Sequence, residues 1–442
     1  MSLPGATEHK RAILESIALG TLTALEPGGL VRQAIVIEGP VLRIAGGSWE
    51  LHTCPQITLI AVGKAAAPMI RAAQAALAAV AERVRGVVVA PAPASGPCEV
   101  LPRGIEPRVG GHPEPTVASL RAARALLRAV AATPPRGLIL YLISGGGSAL
   151  AEAPLPGVSF TDLRQTHRAL VRSGAPIGAI NAVRKHLSAI KGGRLALAAQ
   201  PAVEQVSLLL SDVPAGDVSA ISSGPTCPDT STLDDCRRIC GEYSLVLPLS
   251  ARAALFGPGQ RETPKPSVHG FARSRWEVLM DNAGAKAEAA RRARAAGLAP
   301  VLEDQADEAE CRAAADFLLR RLAQARRQNP RACVIAGGEV RVRVGAAPGR
   351  GGRNQAFALH CAAQIAGGDC CVLSLGTDGV DGNSPAAGAC VDGGTAERAR
   401  AAGFDLERAQ AQWDAYPLLA AAGDVIEIGP TGNNLRDLRL LA

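Results

Sequence analysis

GLILYLISGGGS, residues 137–148, is an apolar run of strand length that stops at three consecutive glycines between two serines. ITLIAVGK, residues 57–64, has the same form, with Gly63-Lys64 closing the run. Neither stretch alternates polar and apolar side chains, so each reads as a strand buried on both faces. An Ala-rich helix follows Lys64, a strand is expected over 86–90, and a helix over 116–132 carries Leu120, Ala123, Leu126, Leu127 and Val130 on one face. Buried strands alternating with amphipathic helices predict an α/β fold built on a doubly wound parallel sheet.

The rhythm extends in both directions. An amphipathic helix is expected over about residues 6–26, ended by Glu26-Pro27-Gly28-Gly29, with short strands near 34–38 and 41–44. Helices near 160–173, 178–189 and 193–199 precede a strand over 206–210 that ends at Ser211-Asp212. The stretch 256–274, with three prolines, three glycines and mixed charge, reads as a linker. Beyond it, strands are expected near 276–280, 299–303, 332–336, 340–344, 371–376 and 425–429, and helices near 282–296, 308–328, 354–366 and 395–402. The expected organisation is therefore an N-terminal domain over 1–255, a linker over 256–274 and a second α/β domain over 275–442.

Composition narrows the function. The 442 residues are 48% hydrophobic but only 3% aromatic, so the core must be built from small aliphatic side chains. The net charge of +7 comes from scattered arginines, without a block of like charge or interleaved aromatics, which argues against nucleic acid and favours small anionic substrates. Eleven cysteines without CxxC spacing suggest free thiols in a reducing compartment rather than disulfides or zinc. No apolar run reaches the roughly 20 residues of a membrane span, and no leader pattern opens the chain, so a cytoplasmic enzyme is expected.

In open parallel sheets, ligands sit beyond the carboxyl ends of the strands. Six expected strand ends carry glycine with hydroxyl, carboxylate or amide side chains: Gly63-Lys64, residues 144–148, Ser211-Asp212 with Ser223-Gly224-Pro225-Thr226, Gly337-Gly338-Glu339, Gly376-Thr377-Asp378-Gly379-Val380-Asp381 and Thr431-Gly432-Asn433. Ser144, Gly145, Gly146, Gly147 and Ser148 form the best phosphate cradle, since glycines let backbone N–H groups approach an anion, and Ser148 is placed to open a helix. Lys64 is expected to project into the same crevice. The run from Pro348 to Gln355 sets Arg350 and Arg353 in a flexible loop before a helix, where a guanidinium can clasp phosphate or carboxylate. Asp378 and Asp381 either hold Mg2+, accept a hydroxyl proton or close an Asx turn, and Asp212 raises the same choice. His112 is the one histidine in a plausible site loop. His186 shares a polar helix face with Arg184, Lys185 and Lys191, where anion contact competes with solvation. GxGxxG, GxxxxGK[ST], GxSxG and HExxH are all absent.

These segments, together with Gly111-His112-Pro113, Asn181-Ala182-Val183-Arg184-Lys185-His186-Leu187-Ser188, Lys191-Gly192-Gly193-Arg194 and Gly351-Gly352-Arg353-Asn354-Gln355, resemble the glycerate 2-kinase family whose second domain is called MOFRL. The resemblance covers nearly the whole chain. It departs from the family pattern at Ala215-Gly216-Asp217, Pro115-Thr116 and Asn433. It implies a Rossmann-like N-terminal domain and a MOFRL domain, with ATP- and Mg2+-dependent phosphorylation of D-glycerate at its 2-hydroxyl in a cleft between them. Lys64 and Arg353 fall on positions proposed as catalytic in that family. On this likeness Lys64, Arg353 and Asp212 are expected to be catalytic, and residues 144–148, Lys185 and Gly224 to hold the nucleotide phosphates. Arg353, His112 and Asn354 are expected to meet the substrate, and Asp212, Asp378 or Asp381 to hold the metal. The expected partner is a small molecule, with neither nucleic acid nor membrane, in a monomer or homodimer. Some relatives of this family are called hydroxypyruvate reductases, so NAD(P)H-dependent reduction is the alternative. The missing dinucleotide fingerprint opposes it.

Overall fold

The computed structural model describes residues 4–92, 103–213, 216–344 and 349–442; Pro214, Ala215 and Pro348 lie outside them. Two compact units are present, one formed by Pro27–Leu279 and the other by Met1–Glu26 with Met280–Ala442.

In the first unit, strands β1 (Ile35–Glu38), β2 (Val41–Ile44) and β3 (Gly47–Glu50) make an antiparallel ribbon. The main sheet contains β4 (Ile57–Val62), β5 (Val84–Pro91), β6 (Ile105–Gly110), β7 (Leu138–Ile143), β8 (Glu204–Leu210) and β9 (Ser274–Met280). Its spatial order is β6-β5-β4-β7-β8-β9, and the pairs from β6 through β8 are all parallel. Every residue of β4 and of β7 is buried, as their unbroken apolar sequences require. The strand order reverses between β4 and β7, and that is where doubly wound sheets open a crevice for ligands. The expected parallel α/β fold is observed.

The second unit holds a mixed sheet of β10 (Ala299–Glu303), β11 (Ala332–Ala336), β12 (Cys371–Gly376), β13 (Gly388–Asp392), β14 (Val425–Ile426) and β15 (Asp437–Leu441), in the order β10-β11-β15-β12-β13-β14. β15 runs antiparallel between β11 and β12, so the last residues of the chain lie in the middle of the sheet. Leu438, Leu440 and Leu441 are fully buried there.

Several expectations need correction. The helix Pro4–Ala24 belongs with the second unit, because Leu14, Ile17 and Ala18 pack among Ala289, Ala293, Cys333 and Leu373. An apolar stripe announces that a helix is buried without saying against what. Pro27 does not end helical structure but opens a second helix, Pro27–Ala34, since proline is tolerated in a first turn. Residues 256–274 are no free linker. Thr263 donates 2.8 Å to Asp229, and Phe271 is buried against Trp276. Residues 340–344 alternate in hydropathy yet form no strand, and Arg341 makes only an isolated bridge to Glu310. The ten described cysteines are free and buried. Among the described residues, no helix is long and apolar enough to cross a membrane.

Candidate active site

The turns after β4 and β7 are stitched together at the switch point. The Lys64 amide donates to the Gly145 carbonyl at 2.9 Å, and the Ala65 amide donates to Ser144 Oγ at 3.0 Å. Ser222 Oγ donates to the Ser144 carbonyl at 2.7 Å, which ties in the turn that follows β8. Ser144 therefore serves as a structural knot, its hydroxyl and carbonyl both taken by the protein.

The glycines beside it serve a different end. Among the described residues, the amides of Gly145, Gly146, Gly147 and Ser148 have no acceptor within the protein. Four successive unpaired N–H groups are costly in a turn that water reaches poorly, and they form the concavity that holds an anion. Gly146 sits at φ +85, a left-handed conformation that side chains disfavour. A Cβ at Gly145 would lie 2.1 Å from Asp212 Oδ2, so only glycine lets that carboxylate approach the turn. The helix expected to begin at Ser148 is a single turn, Gly147–Leu150, so its dipole contributes little. Ser148 instead hydrogen-bonds Ser223 Oγ at 2.7 Å, and Ser223 donates to Asn181 Oδ1 at 2.9 Å. Since the Ser223 proton is committed to Asn181, Ser148 donates to Ser223 and has no hydroxyl proton left for an anion, so its amide is what it offers the cradle.

Lys64 and His112 flank the same turn, both within 3.4 Å of where a Gly146 Cβ would stand. Lys64 is half-buried, and no hydrogen bond or ion pair holds its ammonium among the described residues. Burial and the nearby Lys64 charge lower the His112 pKa below its ordinary value, which keeps the ring neutral. Lys64, Asp212, His112 and the glycine turn thus lie together.

Lys185 and Gly224 do not join them. Lys185 is buried with its ammonium 3.1 Å from Asp229 and 3.0 Å from Ser219, so its charge is already balanced. Gly224 spends its amide on the Ile221 carbonyl at 2.8 Å and ends a short helix in the left-handed region. Both expectations fail for one reason: sequence places a residue in a motif but does not reveal which partners it already has.

In the second unit, Arg353 opens the helix Arg353–Gln364. Asp437 grips it through Nε at 2.8 Å and Nη2 at 2.9 Å, and Glu339 accepts from Nη2 at 2.9 Å. The two carboxylates raise its pKa further, so the guanidinium is permanently charged. Arg353 lines an open cleft of 490 Å³ with Gly352, Asp378 and Val380. Arg350 stacks on Tyr416 at 4.7 Å, as an anchor for its loop.

Asn354 is buried and wholly committed. Its amide nitrogen donates to Asp437 at 3.0 Å and its oxygen accepts from Ser374 at 2.6 Å, so it orients the arginine's partner and has no atom for substrate. Asp381 is buried under the same helix, accepting from the amides of Asn354 at 3.1 Å and Gln355 at 2.8 Å. It is a helix cap. Asp378 makes an Asx turn to the Val380 amide at 3.3 Å and faces the cleft.

Burial pushes the Asp381 carboxyl up to about 6, against the two helix amides that favour its charge. Between its ordinary value and 6 the folded chain therefore holds a proton that the unfolded chain has released, and this group's contribution to stability falls as pH rises. The melting midpoint of the native protein minus that of Asp381→Asn should decrease from about pH 4 to about pH 6. A constant or rising difference would contradict the assignment.

Among the described residues, no group of three His, Cys, Asp or Glu side chains could hold a metal alone. Mg2+ does not need one, because it commonly takes one or two carboxylates together with substrate phosphates and water. Asp212, against the glycine turn, fits that pattern, whereas Asp381 has both oxygens engaged by amides. Glu339, Asn181, Ser222 and Ser223 stand in motifs of the sequence but drew no role of their own there, and Asp437 was not singled out. Asp437 and Arg439 alternate with Leu438 and Leu440 in the buried β15, and that charged pattern inside a strand was the available signal.

Residues 13–256 match the family described as "Domain of unknown function (DUF4147)", and residues 332–437 match the MOFRL family. A protein of Thermotoga maritima named D-glycerate 2-kinase is 36% identical over 87% of this chain and 89% of its own length. The chain belongs to the glycerate kinase family. The family likeness extends to three dimensions: the crystal structure of the glycerate kinase from Thermotoga maritima aligns over 98% of this chain and 99% of its own, with a TM-score of 0.83 at 32% identity. A relative from Agrobacterium vitis, 39% identical over 87% of this chain and 86% of its own, carries the provisional name hydroxypyruvate reductase. Within the glycerate kinase family the names therefore diverge.

Proposed function

We propose that this protein transfers the γ-phosphoryl group of ATP to the 2-hydroxyl of D-glycerate, giving 2-phosphoglycerate with Mg2+ as cofactor. One observation carries the reading: four unpaired amides and an unpaired lysine surround a left-handed glycine at the sheet's switch point, in a member of the glycerate kinase family. Phosphoryl transfer depends mainly on positioning and charge neutralisation, and this arrangement provides both.

In this reading residues 145–148 hold phosphate oxygens through their amides, and Lys64 balances the charge that develops on the transferred group. Bound Mg2+ would neutralise phosphate charge beside Asp212. Asp212 also lies where it could orient the acceptor hydroxyl. Neutral His112 contributes a hydrogen-bonding edge without adding charge. Arg353, held by Asp437 and Glu339 through Nε and Nη2, lines the cleft of the second unit.

The reductase alternative draws on the name that relatives from Agrobacterium vitis carry. The chain has no GxGxxG fingerprint, and its glycine turn is built of Gly145-Gly146-Gly147 without the usual spacing. A coupled assay separates the two. ADP should appear when D-glycerate, ATP and Mg2+ are supplied, and phosphorus NMR should show a phosphate on carbon 2. Oxidation of NAD(P)H by hydroxypyruvate without ADP release would overturn the proposal.

A further inference from the structure

The helix Ile177–Leu187 and the segment after it bring four basic side chains together, and three of them are already matched. Lys185 pairs with Asp229, His186 Nε2 lies 3.0 Å from Glu262, and Lys191 pairs with Glu152. Arg184 differs. Its Nε is buried without a hydrogen-bond partner, and no ion pair reaches its guanidinium among the described residues.

The surroundings explain why nothing in the protein satisfies it. The nearest opposing charge is Glu152, fully buried, and both its oxygens are engaged, Oε1 by Ser188 at 2.6 Å and Oε2 by Lys191. His167 is driven well below its usual pKa, first by burial and then by Arg184 and Lys191, so it is neutral. A buried lysine and a half-buried arginine thus face one carboxylate. A guanidinium with its Nε buried and unpaired is destabilising, and a ligand can supply the counter-charge.

Its position identifies the ligand. Asn181 precedes Arg184 by three residues, so the two share a helix face. Asn181 receives the Ser223 hydroxyl, which in turn receives Ser148 at the end of the glycine turn. Glu152 lies just beyond the single helical turn that Ser148 belongs to. Arg184 is therefore linked to the end of the phosphate cradle through Asn181, Ser223 and Ser148. The unpaired amides and Lys64 already provide for a phosphoryl group. Arg353 cannot serve a second anion equally well, because Asp437 and Glu339 surround it with negative charge.

We infer that Arg184 anchors the carboxylate of the hydroxy-acid substrate, which directs the adjacent hydroxyl toward the glycine turn. The inference deepens the proposed kinase reading and rests on it. A guanidinium offers carboxylate two parallel N–H donors, which lysine does not, so the fork matters as well as the charge.

The test is calorimetric titration of D-glycerate into the full-length native protein, Arg184→Lys and Arg184→Gln, with melting curves and steady-state kinetics on the same samples. Arg184→Gln should weaken D-glycerate binding about 30-fold or more, and Arg184→Lys should fall between it and the native protein. The KM for ATP should stay within about threefold. The melting midpoint should hold, because the guanidinium makes no contact that the fold uses. Unchanged D-glycerate affinity in Arg184→Gln would overturn the inference while leaving the kinase reading intact. So would a shift confined to the KM for ATP, which assigns Arg184 to phosphate, or a melting midpoint lowered by about 10 °C, which marks a structural prop. Arg184-dependent D-glycerate binding without ADP release would uphold the inference and refute the kinase reading.

Discussion

Replacing Lys64 with alanine should reduce ADP release with D-glycerate by about a thousandfold while leaving the fold intact. The expectation follows from what the ammonium lacks. It has no partner in the protein among the described residues, yet it stands beside Gly146 and four free amides. Its removal breaks no ion pair, so the melting midpoint should move by no more than about 2 °C. Because the charge acts chiefly on the transferred group, the loss should appear in kcat more than in the KM for D-glycerate. Substitution by arginine should not restore the rate, since a broad planar fork does not present the compact point charge of an ammonium to the transferred group. Comparable turnover by the alanine variant would remove Lys64 from the chemistry.

The second large effect is on stability. Asp437 has no solvent exposure, and it holds Arg353, Arg439 and Asn354 at once. Arg439 is itself fully buried and, among the described residues, otherwise reaches only the Gly337 carbonyl and the face of Phe357. Asp437→Asn would leave two guanidinium groups in the sheet with one carboxylate, Glu339, at the rim. Breaking a buried pair in this way costs about 3–5 kcal/mol, which corresponds to a midpoint lowered by roughly 10 °C. Arg353→Ala should be milder for the fold, because Asp437 keeps Arg439, and it should mainly affect turnover. Thermal melts of the two variants decide the matter: equal stability losses would show that Arg353, rather than Asp437, organises the network.

How far the sequence foretold this depends on what each residue's neighbours are. The unbroken apolar runs at 57–62 and 138–143 gave the parallel sheet because burial on both faces leaves a mark in the strand itself. Gly63-Lys64 and the triple glycine were legible because they follow directly from those runs. By contrast, Lys185 and Gly224 sit in the same kind of motif, yet their partners Asp229 and Ile221 were invisible to sequence reading. Asp381 illustrates the same limit, since a carboxylate in a glycine-rich turn looks identical whether it meets a metal or caps a helix. The strand β15 was missed because its charged residues, Asp437 and Arg439, satisfy each other along one buried face of a central strand at 2.7 Å, a pattern that hydropathy reads as surface. Arg184 is the reverse case. Its significance lies in a partner that is absent, and only the packed structure shows which basic residues are already matched.

Selective 15N labelling of glycine, read by NMR on the full chain, addresses the phosphate cradle itself. On addition of a non-hydrolysable ATP analogue with Mg2+, the amide signals of Gly145, Gly146 and Gly147 should move strongly downfield as they take up phosphate oxygens, while those of the hairpin glycines Gly39 and Gly46 stay put. Saturable nucleotide binding with all three signals unmoved would contradict the account at its centre.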